Sequence, residues 1–142
     1  SELDGSHLKL ELTESMLLDD VETVLQMLIR IREKSIQLSI DDFGTGYSSL
    51  SYLPRFPIDT LKIDRTFINR MTVDAENFEI VRAIVTLAHS IGLDVVAEGI
   101  ETPEQVAQLR SLGCKFGQGY WFSKPLDASE IERAIAMKTS RL

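Results

Sequence analysis

Short apolar runs alternate with longer amphipathic stretches along most of the chain. Five runs have the length and apolar content of buried strands: HLKLEL (7–12), IQLSID (36–41), DTLKID (59–64), LDVVAE (93–98) and CKFGQG (114–119). Between most of them, apolar residues recur at helical spacing. Val21, Val24, Leu25, Leu28 and Ile31 predict a helix from about Asp19 to Lys34. Phe78, Val81, Ile84, Val85 and Ala88 predict another from about Asp74 to Ile91. Thr102 as N-cap and Pro103 in the first turn open a third, which Leu112–Gly113 ends. Asp127 or Ser129 caps a last helix reaching about Met137. Such alternation with short loops means βαβ units and a parallel sheet. An open doubly wound sheet and a (β/α)₈ barrel both fit this pattern.

Polar residues collect where each run stops. The first ends in Glu11, followed by Thr13 and Glu14. The second ends in Asp41 and Asp42, and the third carries Lys62 and Asp64. The fourth ends in Glu98, with Glu101 just after, and the fifth carries Gln118. In parallel α/β folds, ligands bind at that edge of the sheet. Taken singly, each residue has a bland explanation. Asp42 is a good turn former, Glu14 suits a helix N-terminus, Lys62 could be a solvated charge and Gln118 a satisfied core amide. Jointly they are hard to explain by stability, because gathered carboxylates cost energy unless something positive neutralises them. Lys62 is one candidate and divalent cations are the better one. Glu11, Asp41, Asp42, Glu98 and Glu101 are hard oxygen donors without His or Cys among them, which suits Mg²⁺ or Mn²⁺ rather than zinc. Two such ions roughly 3.5–4 Å apart are the usual clamp for phosphodiester hydrolysis.

Other signals change the picture less. DFGTGYSSL (42–50) reads as a flexible loop beside the ligand or as an ordinary turn. Its DFG string lacks the other kinase motifs, and its GxG lacks the third glycine of a dinucleotide fingerprint. His7 and His89 stand alone and predict surface or core packing. Phe116, Tyr120, Trp121 and Phe122 could stack on a base, but core packing is the commoner fate. The 142 residues are 44% hydrophobic and 26% charged, enough for one ordinary domain. A net charge of −7 argues against binding a nucleic-acid polymer. Cys114 is the single cysteine and predicts a reduced structural thiol. No apolar run approaches the roughly 20 residues of a membrane span, and residues 1–10 carry no signal-peptide pattern. A cytoplasmic chain is expected.

LELTES (10–15), DDFGTGYSSL (41–50), LKIDRTFI (61–68), VVAEGIET (95–102) and GQGYWFSKPL (117–126) together resemble the EAL family of cyclic-di-GMP-specific phosphodiesterases. The resemblance covers nearly the whole chain in order and spacing. It implies a modified TIM barrel, of which this chain would hold about five parallel strands with their helices. It implies hydrolysis of cyclic-di-GMP to linear pGpG with Mg²⁺ or Mn²⁺. Glu11 then resembles a metal ligand, Asp41 the carboxylate bridging two metals, and Asp42 a ligand of the second. Lys62 resembles the lysine that contacts the attacking water or a phosphate oxygen, and Glu98 the proposed general base. By the same resemblance Glu101 would be a further metal-site residue, and Gln118, Asp64 and Thr13 would be supporting ones. Glu14 resembles the glutamate that anchors the DDFGTG loop, which the family links to metal binding and dimerisation, so a homodimer is expected.

The departure from the family pattern lies at the N-terminal side. No Glu-Ala-Leu triplet occurs, and an Asn ligand on the following family strand has no counterpart. A whole barrel takes about 250 residues. Residues 1–142 are therefore expected to be the C-terminal part of an EAL domain without a second domain, inactive alone. Such a piece is expected to leave a broad apolar face uncovered. The N-terminal remainder and upstream sensor or GGDEF domains are expected partners. The rival reading is a non-catalytic module that binds cyclic-di-GMP or other proteins; the presence of DDFGTG, Lys62 and Glu98 weighs against it.

Overall fold

The computed structural model describes residues 4–17, 20–46 and 51–139. Five strands form one sheet: β1 (Lys9–Thr13), β2 (Gln37–Phe43), β3 (Thr60–Ile63), β4 (Asp94–Ala97) and β5 (Phe116–Gly117). All four pairings are parallel, and the strands lie in chain order. A doubly wound sheet would reverse its order at a switch point. Consecutive order without reversal is the arrangement of a (β/α) barrel segment.

Helices α1 (Val21–Arg32), α3 (Ala75–Ser90), α4 (Pro103–Ser111) and α5 (Ala128–Thr139) lie where the periodicity predicts them. The expected start of α1 at Asp19 lies outside the described residues; Asp20 caps it, accepting from the Thr23 backbone N–H at 3.3 Å. Asp74 caps α3 through Glu76 N. Of the two candidates for α5, Asp127 is the cap: it accepts from Glu130 N while its own N–H donates to Glu130. One helix escaped the pattern. α2 (Arg65–Arg70) is too short to show a period, and its only sequence signal is Asp64 at the N-cap, accepting from Thr66 N at 2.8 Å.

Side chains alternate across the strands. Leu38, Ile40, Leu61, Ile63, Val95 and Ala97 are buried on the helix-covered face. They share one core with Leu28 of α1, Ile68 of α2 and Val81, Val85 and Ala88 of α3. The opposite face corrects an expectation. It carries Lys9, Glu11, Gln37, Ser39, Asp41, Thr60, Lys62, Asp94 and Glu98, with Val96 and Phe116 its apolar members. The face without helices is polar, not apolar. Lys9 Nζ donates to Thr60 Oγ1 at 2.8 Å across it.

Exposed apolar surface lies elsewhere, around β5 and α5. Phe116, Tyr120, Trp121 and Phe122 are 52%, 61%, 48% and 56% exposed, against the core packing expected of them. They follow the last strand, where no further strand lies beyond β5 among the described residues. Cys114 is a free, half-buried thiol beside the Phe116 carbonyl at 3.3 Å. Burial pushes its pKa up, and the backbone contact at Phe116 only partly offsets this.

Two outcomes follow from this packing. Leu61→Ala, in the centre of the sheet, is expected to cost about 3 kcal/mol in urea unfolding. Val73→Ala, at an 86% exposed position, should change stability by less than about 0.5 kcal/mol. The raised thiol pKa has a definite sign. Unfolded Cys114 loses its proton first, so its contribution falls as pH climbs through the unfolded value of about 8.5. Alkylation by iodoacetamide at pH 8 should be slow in the native protein and fast in urea.

Candidate active site

β3 delivers Lys62 to the open face because Leu61 and Ile63, its neighbours, are claimed by the helices. The ammonium is buried among three carboxylates. Lys62 Nζ lies 2.8 Å from Glu98 Oε1, 2.9 Å from Glu11 Oε1 and 3.4 Å from Asp41 Oδ1. An ammonium has three N–H donors, and three acidic neighbours, from β1, β2 and the residue after β4, satisfy them. Burial by itself would lower the lysine pKa, but the hydrogen bonds to Glu98 and Glu11 outweigh it and hold Lys62 above its ordinary value. Burial lifts the Glu98 carboxyl above the usual range, and Lys62 offsets this only in part. Gln118 Nε2 donates to the same Glu98 oxygen at 2.7 Å, which fixes that carboxylate from the β5 side.

Neighbouring strand residues normally face opposite sides, so Asp41 and Asp42 should diverge. A bulge prevents this. Ile40 pairs with Leu61 and Phe43 with Ile63, so β2 spends one extra residue between them. Asp42 absorbs it with φ of 55°, in the left-handed region that aspartate tolerates. Carboxylate oxygens of Asp41, Asp42 and Glu98 consequently lie within 4.8 Å of one another. Asp42 has its pKa raised, first by burial and then by the charges of Asp41 and Asp64. Asp64 is held low: burial would raise it, but the Thr66 hydroxyl and backbone N–H outweigh that. Several acids thus surround one ammonium, and negative charge is left over. The hard oxygen donors and their unbalanced charge fit divalent cations.

Two predicted ligands stand apart from these three. Glu11 joins Asp41 and Glu98 only through their shared partner Lys62. Glu101 is exposed, and its backbone N–H, rather than its carboxylate, is what the structure ties down, to Gln105 Oε1 at 2.7 Å. Thr13 is exposed and its hydroxyl lies 3.2 Å from that of Ser15. Glu14 is buried, and its Oε2 accepts from Gly44 N at 3.1 Å. An added Cβ at Gly46 would sit 3.6 Å from the same oxygen, so the loop rests on this carboxylate. Residues 47–50 of DFGTGYSSL lie outside the described residues.

Sequence reasoning missed two supports. Gln105 is buried, accepts from the backbone N–H groups of Glu101 and Thr102, and donates to Ile68 O at 3.1 Å. It ties the loop after Glu98 to α2. Its signal was present as the T-x-x-Q spacing of a capping box. Gly99, with φ of 71°, is the other: an added Cβ would stand 2.5 Å from Arg65 Cβ.

The EAL domain profile matches residues 1–125. The chain belongs to the EAL domain family. The cyclic di-GMP phosphodiesterase NbdA of Pseudomonas aeruginosa is 49% identical over 128 residues, which are 90% of this chain and 16% of that protein. MucR of the same organism, named a bifunctional diguanylate cyclase/cyclic di-GMP phosphodiesterase, is 45% identical over 94% of this chain and 20% of its own length. This EAL chain therefore spans about a fifth or less of these relatives. A solved P. aeruginosa MucR phosphodiesterase in complex with c-di-GMP superposes with a TM-score of 0.87 at 46% identity, over 91% of this chain and 52% of that one. Klebsiella pneumoniae BlrP1, solved as a manganese/c-di-GMP complex, gives 0.80 at 35% identity, over 87% of this chain and 31% of that one. Divalent metal accompanies the dinucleotide in that EAL structure.

Lys62→Met should destabilise the metal-free protein by about 2–3 kcal/mol, because it leaves acids facing one another; the half-exposed Glu11 keeps the effect at the low end. Mn²⁺ should raise the melting temperature of the wild type. Asp41→Asn should remove most of that rise, which differential scanning fluorimetry with and without EDTA would read.

Proposed function

We propose that the parent EAL domain hydrolyses cyclic-di-GMP to linear pGpG at the Lys62–Glu98 rim. The observation that carries this is the meeting of Lys62 with Glu11, Asp41 and Glu98, beside the Asp41–Asp42–Glu98 oxygens. Asp41 and Asp42 would hold divalent cations, Mg²⁺ or Mn²⁺, with Glu11 and Glu101 drawn in as further ligands and Glu98 beside them as the base. Cations bound there supply Lewis-acid stabilisation of charge on the phosphate and make a water more acidic. Glu98, with its raised pKa, takes the proton from the attacking water. Lys62, held charged, would exchange one of its carboxylate partners for that water or a phosphate oxygen as charge develops. Gln118 keeps Glu98 oriented, and Asp64 and Thr13 frame the rim. One P–O ester bond breaks, water adds across it, and the freed ribose oxygen leaves with a proton.

The same reading makes residues 1–142 the C-terminal part of the domain, with no second domain within them, dependent on an N-terminal remainder for turnover. A MucR-like arrangement with a diguanylate cyclase partner domain is supported by the relative's name. A homodimer through the loop that Glu14 anchors, and a cytoplasmic location where the dinucleotide is made and used, belong to the proposal. No described helix is long and apolar enough to cross a membrane.

The test compares the full-length gene product with residues 1–142, each with cyclic-di-GMP and Mg²⁺ or Mn²⁺, with pGpG separated chromatographically. The longer protein is expected to cleave and the shorter not. Glu98→Gln in the longer protein should cut kcat at least about a hundredfold, as loss of a general base does. Binding without cleavage by the longer protein would instead establish a receptor.

A further inference from the structure

Exposed aromatic residues follow the segment that pairs with the Glu98 end of the acidic rim. Gln118 N donates to Ala97 O at 2.9 Å, Ile100 N to Gln118 O at 3.1 Å, and Trp121 N to Ile100 O at 2.9 Å. Residues 118–121 are therefore laid along residues 97–100, the segment that carries Glu98. Contact is close: a Cβ on Gly119 would come within 2.2 Å of Ile100 O. The peptide that carries Trp121 is thus tied down, two residues from the Glu98 loop's start.

Four aromatic rings lie at this end, and three have neighbours. Phe116 and Phe122 line a groove with Ile100, Val106, Leu109 and Cys114. The Tyr120 ring carries the Lys124 ammonium 5.7 Å from its centroid. The Trp121 indole is 48% exposed, and no ring or cation faces it among the described residues. An exposed indole on the segment paired with the Glu98 loop offers what the rim of carboxylates lacks, a π surface. Each purine of a cyclic dinucleotide needs such a surface, one ribose away from the phosphate.

We infer that Trp121 is a specificity residue that stacks on one guanine of the dinucleotide held at the Lys62–Glu98 rim. The inference rests on the phosphodiesterase reading and adds a base subsite to it. Stacking acts on ground state and transition state alike, so it enters KM and leaves kcat in place.

The test uses the full-length gene product as wild type, Trp121→Ala and Trp121→Phe. Calorimetry with cyclic-di-GMP and Ca²⁺ is expected to show binding weakened about tenfold by Trp121→Ala and less than about threefold by Trp121→Phe, the range of lost base stacking. With Mg²⁺, KM should rise by a similar factor at unchanged kcat. Ligand should change the tryptophan emission of the wild type, and that change should be missing in Trp121→Phe. Melting temperatures should agree among the three, since the ring is exposed. Equal affinity and KM in all three proteins, with cleavage intact, would overturn the stacking and leave the phosphodiesterase reading standing. Absence of both binding and cleavage in the wild type would overturn both.

Discussion

A lysine ammonium is tolerated inside a protein only where acceptors replace the water it loses. At Lys62 those acceptors come from β1, β2 and the end of β4, three chain segments up to 87 residues apart in sequence (98 − 11). The arrangement works in both directions. Lys62 makes it possible to bring Glu11, Asp41 and Glu98 together, and they in turn keep it charged. Removing any strand from its place would leave an ion without its counter-ion. The register of the sheet and the electrostatics of the rim are therefore one constraint, and the rest of the site is built around it.

Charge that Lys62 does not cancel is what makes the rim chemically useful. Asp42 is pushed up by burial and by two acidic neighbours. A structural ion pair would be balanced, whereas this cluster is left short of positive charge beside an ammonium that is already fully engaged. That shortage invites cations, which Asp41 and Asp42 would hold. The β2 bulge is the device that creates it, because it turns two successive aspartates toward one side. Support comes from beneath and behind. Glu14 holds the loop after the bulge, and Gln105 with Gly99 locks the loop after Glu98 onto α2.

Polarity of the open sheet face belongs to the same logic. A face lined by Lys9, Ser39, Thr60, Lys62 and Asp94 gains little by hydrophobic association, so the hydrophobic core lies on the helix side. Exposed apolar residues gather most densely around the last strand and the final helix, with Phe116, Phe122, Ile131 and Ile135 among them.

Much of this was legible in the sequence. Apolar runs of period two and helical stretches of period 3.6 are local signals, so the five strands and four longer helices could be read to within a few residues. The motifs likewise carried the family, and the polar residues at strand ends named Lys62, Asp41, Asp42 and Glu98 before any geometry. Other features depend on contacts between distant segments, which periodicity does not encode. The strand order β1 to β5, which separates a barrel segment from a doubly wound sheet, is such a feature. So are the bulge at Asp42, the polarity of the open face and the exposure of Trp121. Glu101 and Glu98 are alike as residue types and lie three positions apart. Only the turn at Gly99 and the hold of Gln105 decide that one carboxylate enters the cluster while the other stays in solvent. The sequence determined which groups are available at the rim. The tertiary structure decided which of them meet, because meeting is a matter of register and backbone dihedrals across strands rather than of spacing along one.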